Sequence, residues 1–509
     1  MIVSNLKGIR SAFISVYYKD GLDAIVKTLH QLGIQIISTG GTSDYIKKLK
    51  IPVIEAESLT GYPSILGGRV KTLHPKIFGG ILARRNEESD MLQVEEYDFT
   101  LIDLMIVDLY PFEETVKKGA PDEDIIEKID IGGISLIRAA AKNFNDVAII
   151  SCKEQYPYLL SLLNEKNGKT DIDDRRKLAM EAFDVSSHYD TQIYKYFAGN
   201  NDLTFKESFK GPNSLRYGEN PHQKGIFYGN LNEIFEKLHG KEISYNNLLD
   251  IDAAIALIND FEEPTIAIIK HNNACGLASR PTLLEAWKDT LAGDPISAYG
   301  GIIVTNRAID KETGTEMDKL FFEVVIAPEY TPETLTILKQ KKNRIILLLK
   351  QKIFSKRSFR TLLNGVIEQE KDTITETPQN FKTVTERTPT EQEIKDLIFA
   401  NKLVKHTKSN AIVLAKNQQL IASGAGQTSR VDALKHAIEK AKNFGFDLRG
   451  AVMASDAFFP FADSVEIAYN AGISAVIQPG GSIHDEDSIR FCSEHKIAMV
   501  FTGIRHFKH

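Results

Sequence analysis

The chain has 509 residues, 42% of them hydrophobic and 26% charged, and 62 Lys and Arg against 68 Asp and Glu give it a formal net charge of −6. At roughly 150 residues per domain this is about three domains' worth of chain, which excludes a disordered or fibrous protein. The mild acidity excludes a surface built throughout for a polyanion, so no nucleic-acid partner is expected. Wholly apolar runs such as residues 345–349 fall far short of the roughly 20 residues that cross a bilayer. The opening MIVSNLKGIR has no apolar leader core, so the expected compartment is the cytoplasm, with no membrane partner. Cys152, Cys275 and Cys492 stand alone, without a Cys-x-x-Cys pair, which speaks against a disulfide framework or a zinc site.

Taken in chain order, residues 11–16 (SAFISV) predict a first strand. Residues 20–32 predict a helix with Leu22, Ile25, Val26 and Leu29 on one face and Gly33 at its end. A strand follows over 34–38, and the loop Thr39-Gly40-Gly41-Thr42 leads into a short helix ending before Pro52, with Thr42 or Ser43 as its cap. Residues 101–109 (LIDLMIVDL) read as a buried strand stopped by Tyr110-Pro111-Phe112. Pro121 opens a helix to about residue 129, and Asp130-Ile131-Gly132-Gly133 breaks it before a helix over 134–142. This alternation predicts a parallel α/β sheet. Residues 153–200 are helical and charged, and the glycine- and asparagine-rich stretches near 199–202 and 211–213 mark a boundary between domains 1–200 and 201–509. The second domain alternates strands over 265–270, 301–305, 411–415 and 473–477 with helices, and a polar tract over 368–393 divides it into two lobes without a visible residue-level repeat.

Several segments carry chemistry. Ser38-Thr39-Gly40-Gly41-Thr42 joins a strand to a helix N-terminus, where exposed N–H groups favour a phosphate, and Lys19 adds a nearby cation. Arg69-Val70-Lys71-Thr72-Leu73-His74, preceded by Gly67-Gly68 and closed by Pro75, is a constrained basic loop. Arg216-Tyr217-Gly218-Glu219-Asn220-Pro221-His222 is too polar for a core. Lys270 and His271 sit together at a strand end, where the ammonium favours the neutral imidazole that a general base needs. Asn410, the glycine-rich run ending in Arg430, the aromatic cluster 455–461, the turn 478–482 and the polar C-terminal stretch containing Arg505 complete the set.

ISTGGT, GGRVKTLHP, LYPF, IDIGG, RAAAKN, LRYGENPHQ, KHNNACG, GDPISAYGG, SNAIVLA, GAGQTSR, SDAFFPF, QPGGS and FTGIRHFKH occur in this order. The chain thereby resembles the bifunctional purine-biosynthesis enzymes that join an aminoimidazole carboxamide ribonucleotide (AICAR) formyltransferase to an inosine monophosphate (IMP) cyclohydrolase. The resemblance implies a methylglyoxal-synthase-like first domain and two cytidine-deaminase-like lobes without zinc. It implies 10-formyltetrahydrofolate as co-substrate, no catalytic metal, and a homodimer. It assigns Lys270, His271 and Asn410 to formyl transfer, and Lys71, Tyr110, Asp130 and Lys142 to ring closure. Ser15, Lys19, Ser38, Thr39, Gly40, Gly41, Thr42, Arg69 and Thr72 would hold one nucleotide. Arg216, Tyr217, Asn247, Arg430, Arg505 and Phe507 would hold the other. The folate is placed at Asp456, Phe458, Phe459, Phe461, Gln478, Pro479, Gly480, Gly481 and Ser482. Tyr17-Tyr18, where the family commonly has Ser-Asp, and Asp108, where it commonly has Asn, depart from the pattern, as does Ala274 in place of a proline.

Three rival readings stand beside this one. The first domain could be a nucleotide sensor attached to a formyltransferase, but a sensor needs only the phosphate cradle and not Lys71, Tyr110, Asp130 and Lys142. A nucleotide deaminase lacks the Cys and His spacing for zinc. RNA binding through the basic segments at Lys341 and Lys356 is opposed by the overall charge.

Overall fold

Short buried strands and amphipathic helices alternate from Ser11 onward in the computed structural model, which describes residues 6–66, 69–199, 201, 203–350 and 355–509. The chain divides into two units, the first ending at Ser208 and the second running from Phe209 to His509.

In the first unit, β1 (Ser11–Ser15), β2 (Gln35–Ser38), β3 (Ile54–Glu55), β4 (Leu104–Val107) and β5 (Ala148–Ile150) form a five-stranded sheet in the order β3-β2-β1-β4-β5. Every pairing is parallel. Parallel strands covered by helices on both faces must be apolar throughout, and β4 (LMIV) is buried at all four positions. Helix α1 (Leu22–Gln31) buries the predicted stripe of Leu22, Ile25, Val26 and Leu29, and Gly33 follows it at φ 71°. Helix α2 (Gly40–Lys48) starts earlier than expected: Thr39 is its N-cap, and Gly40-Gly41 form its first turn. The expected cap at Thr42 or Ser43 is therefore corrected. Thr42 Oγ1 instead donates to Val16 O at 3.0 Å and accepts from Val16 N–H at 3.2 Å, tying the helix to the end of β1. Helix α3 likewise begins at Gly132 (Gly132–Lys142) rather than at residue 134.

The second unit contains a repeat that residue identities hide. One lobe runs α4 (Tyr245–Ile258), β6 (Thr265–Lys270), β7 (Asn273–Ser279), α5 (Leu283–Gly293), β8 (Ile302–Thr305), β9 (Val324–Ala327) and β10 (Ile345–Leu349). The other runs α6 (Glu391–Lys405), β11 (Ile412–Lys416), β12 (Gln419–Gly424), α7 (Arg430–Asn443), β13 (Val452–Ser455), β14 (Ala475–Gln478) and β15 (Ala498–Phe501). In each lobe the first strand makes a hairpin with the second and pairs antiparallel with the third, and the last three strands are parallel. The lobes share one twelve-stranded sheet in the order β10-β9-β8-β6-β7-β12-β11-β13-β14-β15, edged by Phe235–His239 and Lys382–Thr383. The seam between them is β7 against β12, with Ala278 opposite Gln419. Ile251 and Leu257 of α4 and Leu397, Leu403 and Val404 of α6 belong to one apolar cluster, so the lobes also share a core on that face. Among the described residues no helix is long and apolar enough to cross a membrane.

Candidate active sites

Ligands of parallel α/β sheets bind beyond the carboxyl ends of the strands. In the first unit the ends of β1 and β2, the turns after β1 and β4, the basic loop and the start of α3 line a cleft of about 520 Å³. Ser15, Lys19, Thr39, Gly41, Thr42, Arg69, Lys71, Thr72, Tyr110 and Asp130 all face it. The Gly40 backbone lies under Lys71, since a Cβ there would stand 3.3 Å from Lys71 Nζ. An ammonium thus sits beside the first turn of α2, where the N–H groups of Thr42 and Ser43 bond to Thr39 O and those of Gly40 and Gly41 have no intrahelical acceptor. Lys71 makes no ion pair among the described residues.

Asp130 is buried, and its carboxylate accepts from the N–H groups of Gly133 at 2.5 Å and Ile134 at 3.3 Å, capping α3. Burial pushes its pKa above the ordinary carboxylate value, against those backbone bonds and the charge of Lys71. The glycine pair follows from this packing: a Cβ at Gly132 would meet Thr72 Oγ1 at 2.8 Å, and one at Gly133 would meet Asp130 Oδ1 at 2.8 Å. Burial and then the charge of Asp130 push the Tyr110 phenol up. Its ring stands edge-on to Tyr17 at 5.8 Å.

The departures at residues 17, 18 and 108 form a single arrangement. The Asp108 carboxylate accepts from the N–H groups of Tyr17 and, at 2.9 Å, Tyr18, while Lys19 Nζ donates to the carbonyls of Val16 and, at 3.2 Å, Tyr17. Asp108 therefore holds the loop after β1 through its main chain. Other expected residues have local work. Ser38 Oγ donates to Ile14 O at 2.7 Å inside the sheet, Ser15 shares a hydrogen bond of 3.1 Å with Thr39, and Arg69 pairs with Glu127. Lys142 is not brought to the cleft: it is exposed at the far end of α3, and eleven helical residues span about 16 Å. Gly67 and Gly68 lie outside the described residues.

In the second unit Lys270 ends β6, and His271 and Asn272 form the hairpin tip, at φ 50° and 63°. Lys270 Nζ donates to Tyr299 O at 2.8 Å. Asn273 joins this tip to the Asn410 region: its Nδ2 donates to His271 O at 2.9 Å, and its Oδ1 accepts from Lys408 N–H at 2.9 Å. Arg430 Nη2 donates to Asn410 Oδ1 at 3.1 Å and to Asp456 Oδ1 at 2.8 Å, so three of the expected residues form one chain. Asp456 Oδ2 is buried without a partner among the described residues. The C-terminal stretch docks here as well: Ser409 N–H donates to Lys508 O at 2.9 Å, and His506 N–H donates to Asp456 O at 3.0 Å. Exposed Arg505 and Phe507 flank His506, with the guanidinium 4.4 Å from the ring centroid.

Arg216 lies 5.4 Å from the centroid of Tyr217, and their loop is tied to the start of α4 by Asn246 Nδ2 donating to Glu219 O at 3.2 Å. Asn247 is buried, caps α4 with Ser244 and donates to Glu323 at 3.2 Å. Asn273 lies within the KHNNACG motif without a role assigned from the sequence, and nothing in the sequence pattern singles out Glu323. The expected folate set separates in two. Phe459 and Gln478 are fully buried, with Phe459 N–H donating to Gln478 Oε1 at 2.9 Å, which corrects their placement as ligand contacts. Phe458 and Phe461 are exposed, at 37% and 58%. After Pro479, Gly480 packs where a Cβ would strike the Phe501 ring, and the N–H groups of Gly481 and Ser482 donate to Asp485 at 2.7 and 3.1 Å.

A family model described as the AICARFT/IMPCHase bienzyme matches residues 140–440, and an MGS-like domain model matches residues 21–135. A protein of Bacteroides thetaiotaomicron named "Bifunctional purine biosynthesis protein PurH" is 61% identical over 507 residues, covering 100% of both chains. The chain belongs to the AICARFT/IMPCHase bienzyme family. Proteins of the same name from Aquifex aeolicus and Caldicellulosiruptor saccharolyticus are 48% and 46% identical to this member of the bienzyme family, each over 98% of this chain and 100% of its own. A solved structure titled "Crystal structure of ForH" is 34% identical over 37% of this bienzyme chain and 99% of its own, with a TM-score of 0.33.

Proposed function

We propose that the cleft of the first unit closes the ring of formylated AICAR and that the second unit transfers the formyl group. The two activities are those of the bienzyme family, a bifunctional formyltransferase and cyclohydrolase of purine biosynthesis. The observation that carries the first assignment is the Lys71 ammonium, without an ion pair among the described residues, beside the first turn of α2 in the cleft that buried Asp130 also lines. The helix N-terminus with Thr39 and Thr42 takes the 5′-phosphate. The carboxamide nitrogen attacks the formyl carbon, Lys71 stabilises the oxyanion, and Asp130 and Tyr110 move the protons that leave with water. Lys71 takes this role alone, because Lys142 stands at the other end of α3.

In the second unit, His271 takes a proton as the amine of AICAR attacks the formyl carbon of 10-formyltetrahydrofolate. Lys270 and Asn410 stabilise the resulting oxyanion. Support comes from Asn273, which links the His271 tip to the strand approach that carries Asn410. Arg216, Arg430 and Arg505 are the candidates for the second phosphate. Of these, Arg430 is already paired with Asp456. Exposed Phe458 and Phe461 are the folate stacking candidates, while Asp456, fully buried, acts by holding Arg430. Strand order 2-1-3-4-5 in each lobe supports a cytidine-deaminase-like reading of both. We read the working form as a homodimer.

The test is a coupled assay with AICAR and 10-formyltetrahydrofolate that follows tetrahydrofolate release and IMP formation separately. Lys71→Ala is expected to stop IMP formation alone, and His271→Ala to stop both products. Tetrahydrofolate without IMP in the wild type would overturn the assignment of the first cleft.

A further inference from the structure

The repeat within the second unit exposes a residue that neither lobe reveals by itself. Each hairpin tip is a two-residue turn with both residues in the left-handed region: His271 and Asn272 at φ 50° and 63°, Asn417 and Gln418 both at 52°. Side chains with a Cβ enter that region at a cost, smaller for Asn and His than for Gln. A two-residue turn also leaves N–H groups at its tip outside the strand ladder, and these need acceptors.

The same device meets both needs in the two lobes. Asp396, sixth residue of α6, accepts from Asn417 N–H at 2.8 Å and Gln418 N–H at 2.7 Å. Asp250, sixth residue of α4, accepts from Asn272 N–H at 2.7 Å. The Asn272 side-chain amide, oriented by its partners, also donates to Asp250 Oδ1 at 3.0 Å and to Leu249 O at 3.1 Å. The lysine before each tip is anchored alike, Lys270 Nζ on Tyr299 O at 2.8 Å and Lys416 Nζ on Arg449 O at 2.7 Å. The two tips differ in what they carry: His271 in one, Asn417 in the other.

We propose that Asp250 is a positioning residue for formyl transfer, fixing through the main chain of the tip the place from which His271 reacts. Asp396 does the same mechanical work where no reacting group depends on it, so the molecule contains its own control. The inference rests on the reading of His271 given above. Asp250 is set to act on kcat rather than on nucleotide affinity, because its bonds go to the tip and the arginines proposed for the phosphate lie on other segments.

The experiment compares Asp250→Ala, Asp396→Ala and His271→Ala in the full chain, by steady-state formyl transfer with AICAR and 10-formyltetrahydrofolate and by thermal unfolding. Asp250→Ala removes the acceptor of the Asn272 N–H and is expected to lower kcat about thirtyfold, as expected of a reacting group displaced by a fraction of an ångström, with KM for AICAR changed less than about threefold. Asp396→Ala is expected to leave kcat within about threefold at a comparable loss of melting temperature. Asn272→Gly, added to Asp250→Ala, is expected to restore most of kcat, because glycine holds the left-handed turn unaided; this double variant also serves if Asp250→Ala folds poorly. Equal losses of kcat at Asp250 and Asp396, an unchanged kcat in Asp250→Ala, or a folded double variant without recovery would each overturn the proposal. Full activity in His271→Ala would instead overturn the reading of the site on which it rests.

Discussion

His506 is buried, with 2% of its side chain exposed, and it bonds to two carboxylates: Nδ1 to Asp372 at 2.6 Å and Nε2 to Glu376 at 2.8 Å. Burial alone would lower its pKa, but the two bonds outweigh burial and raise it from 6.5 to about 9. At about 1.4 kcal/mol per pH unit that rise corresponds to about 3 kcal/mol. Asp372 is 40% exposed, and solvent screening there reduces the figure to about 2 kcal/mol. The sign follows from the direction of the shift. A raised folded-state pKa stabilises fully below the unfolded value and is lost as pH climbs through the folded one. The difference in unfolding free energy between wild type and His506→Gln, measured by urea titration, is therefore expected to be about 2 kcal/mol at pH 6 and to fall toward zero by pH 10. Groups unaffected by the substitution cancel in that difference. A difference that stays constant from pH 6 to pH 10 would refute the ion-triad account. Because Arg505 and Phe507 flank this residue, His506→Gln is also expected to impair formyl transfer and leave ring closure intact.

Lys71→Ala is expected to lower kcat for IMP formation from supplied formyl-AICAR about 10²- to 10³-fold, the usual loss of one oxyanion partner, with formyl transfer unchanged. Asp108→Asn keeps one acceptor for the N–H groups of Tyr17 and Tyr18 and is expected to lower stability by about 1 kcal/mol, read as a shift in urea midpoint at constant slope. Gly276→Ala is expected to destabilise by more than about 2 kcal/mol, since a methyl there would enter the Thr290 carbonyl of α5; Gly8→Ala, with open space around it, serves as the neutral comparison in thermal unfolding.

Where one signal governed one element, the sequence was enough. Strand β6 has the predicted bounds because an apolar run lies between Pro264 and the polar end Lys270, which the His271-Asn272 turn follows. The helix cap after β2 misled because Thr39, Thr42 and Ser43 all satisfy the local rule, and the contact that decides among them is a long-range bond from Thr42 to Val16. Phe458, Phe459 and Phe461 look alike as a motif, yet only Phe459 points into the core, a distinction made by packing against Gln478. Two like lobes were implied by the resemblance, but no repeat was visible in the residues themselves, because the lobes keep pairing order and turn geometry while their side chains differ. Asp250 left no local signal either, since its partner is 22 residues away.

The core shared by α4 and α6 also has a consequence in time. During synthesis the first lobe is complete once β10 ends at Leu349, but α6 ends only at Lys405. Ribosomes add about 5–20 residues per second, so the roughly 55 intervening residues take about 3–11 s. For that interval the apolar face of α4 awaits its counterpart, which makes the half-made second unit the stage of biogenesis at which a chaperone would find this chain.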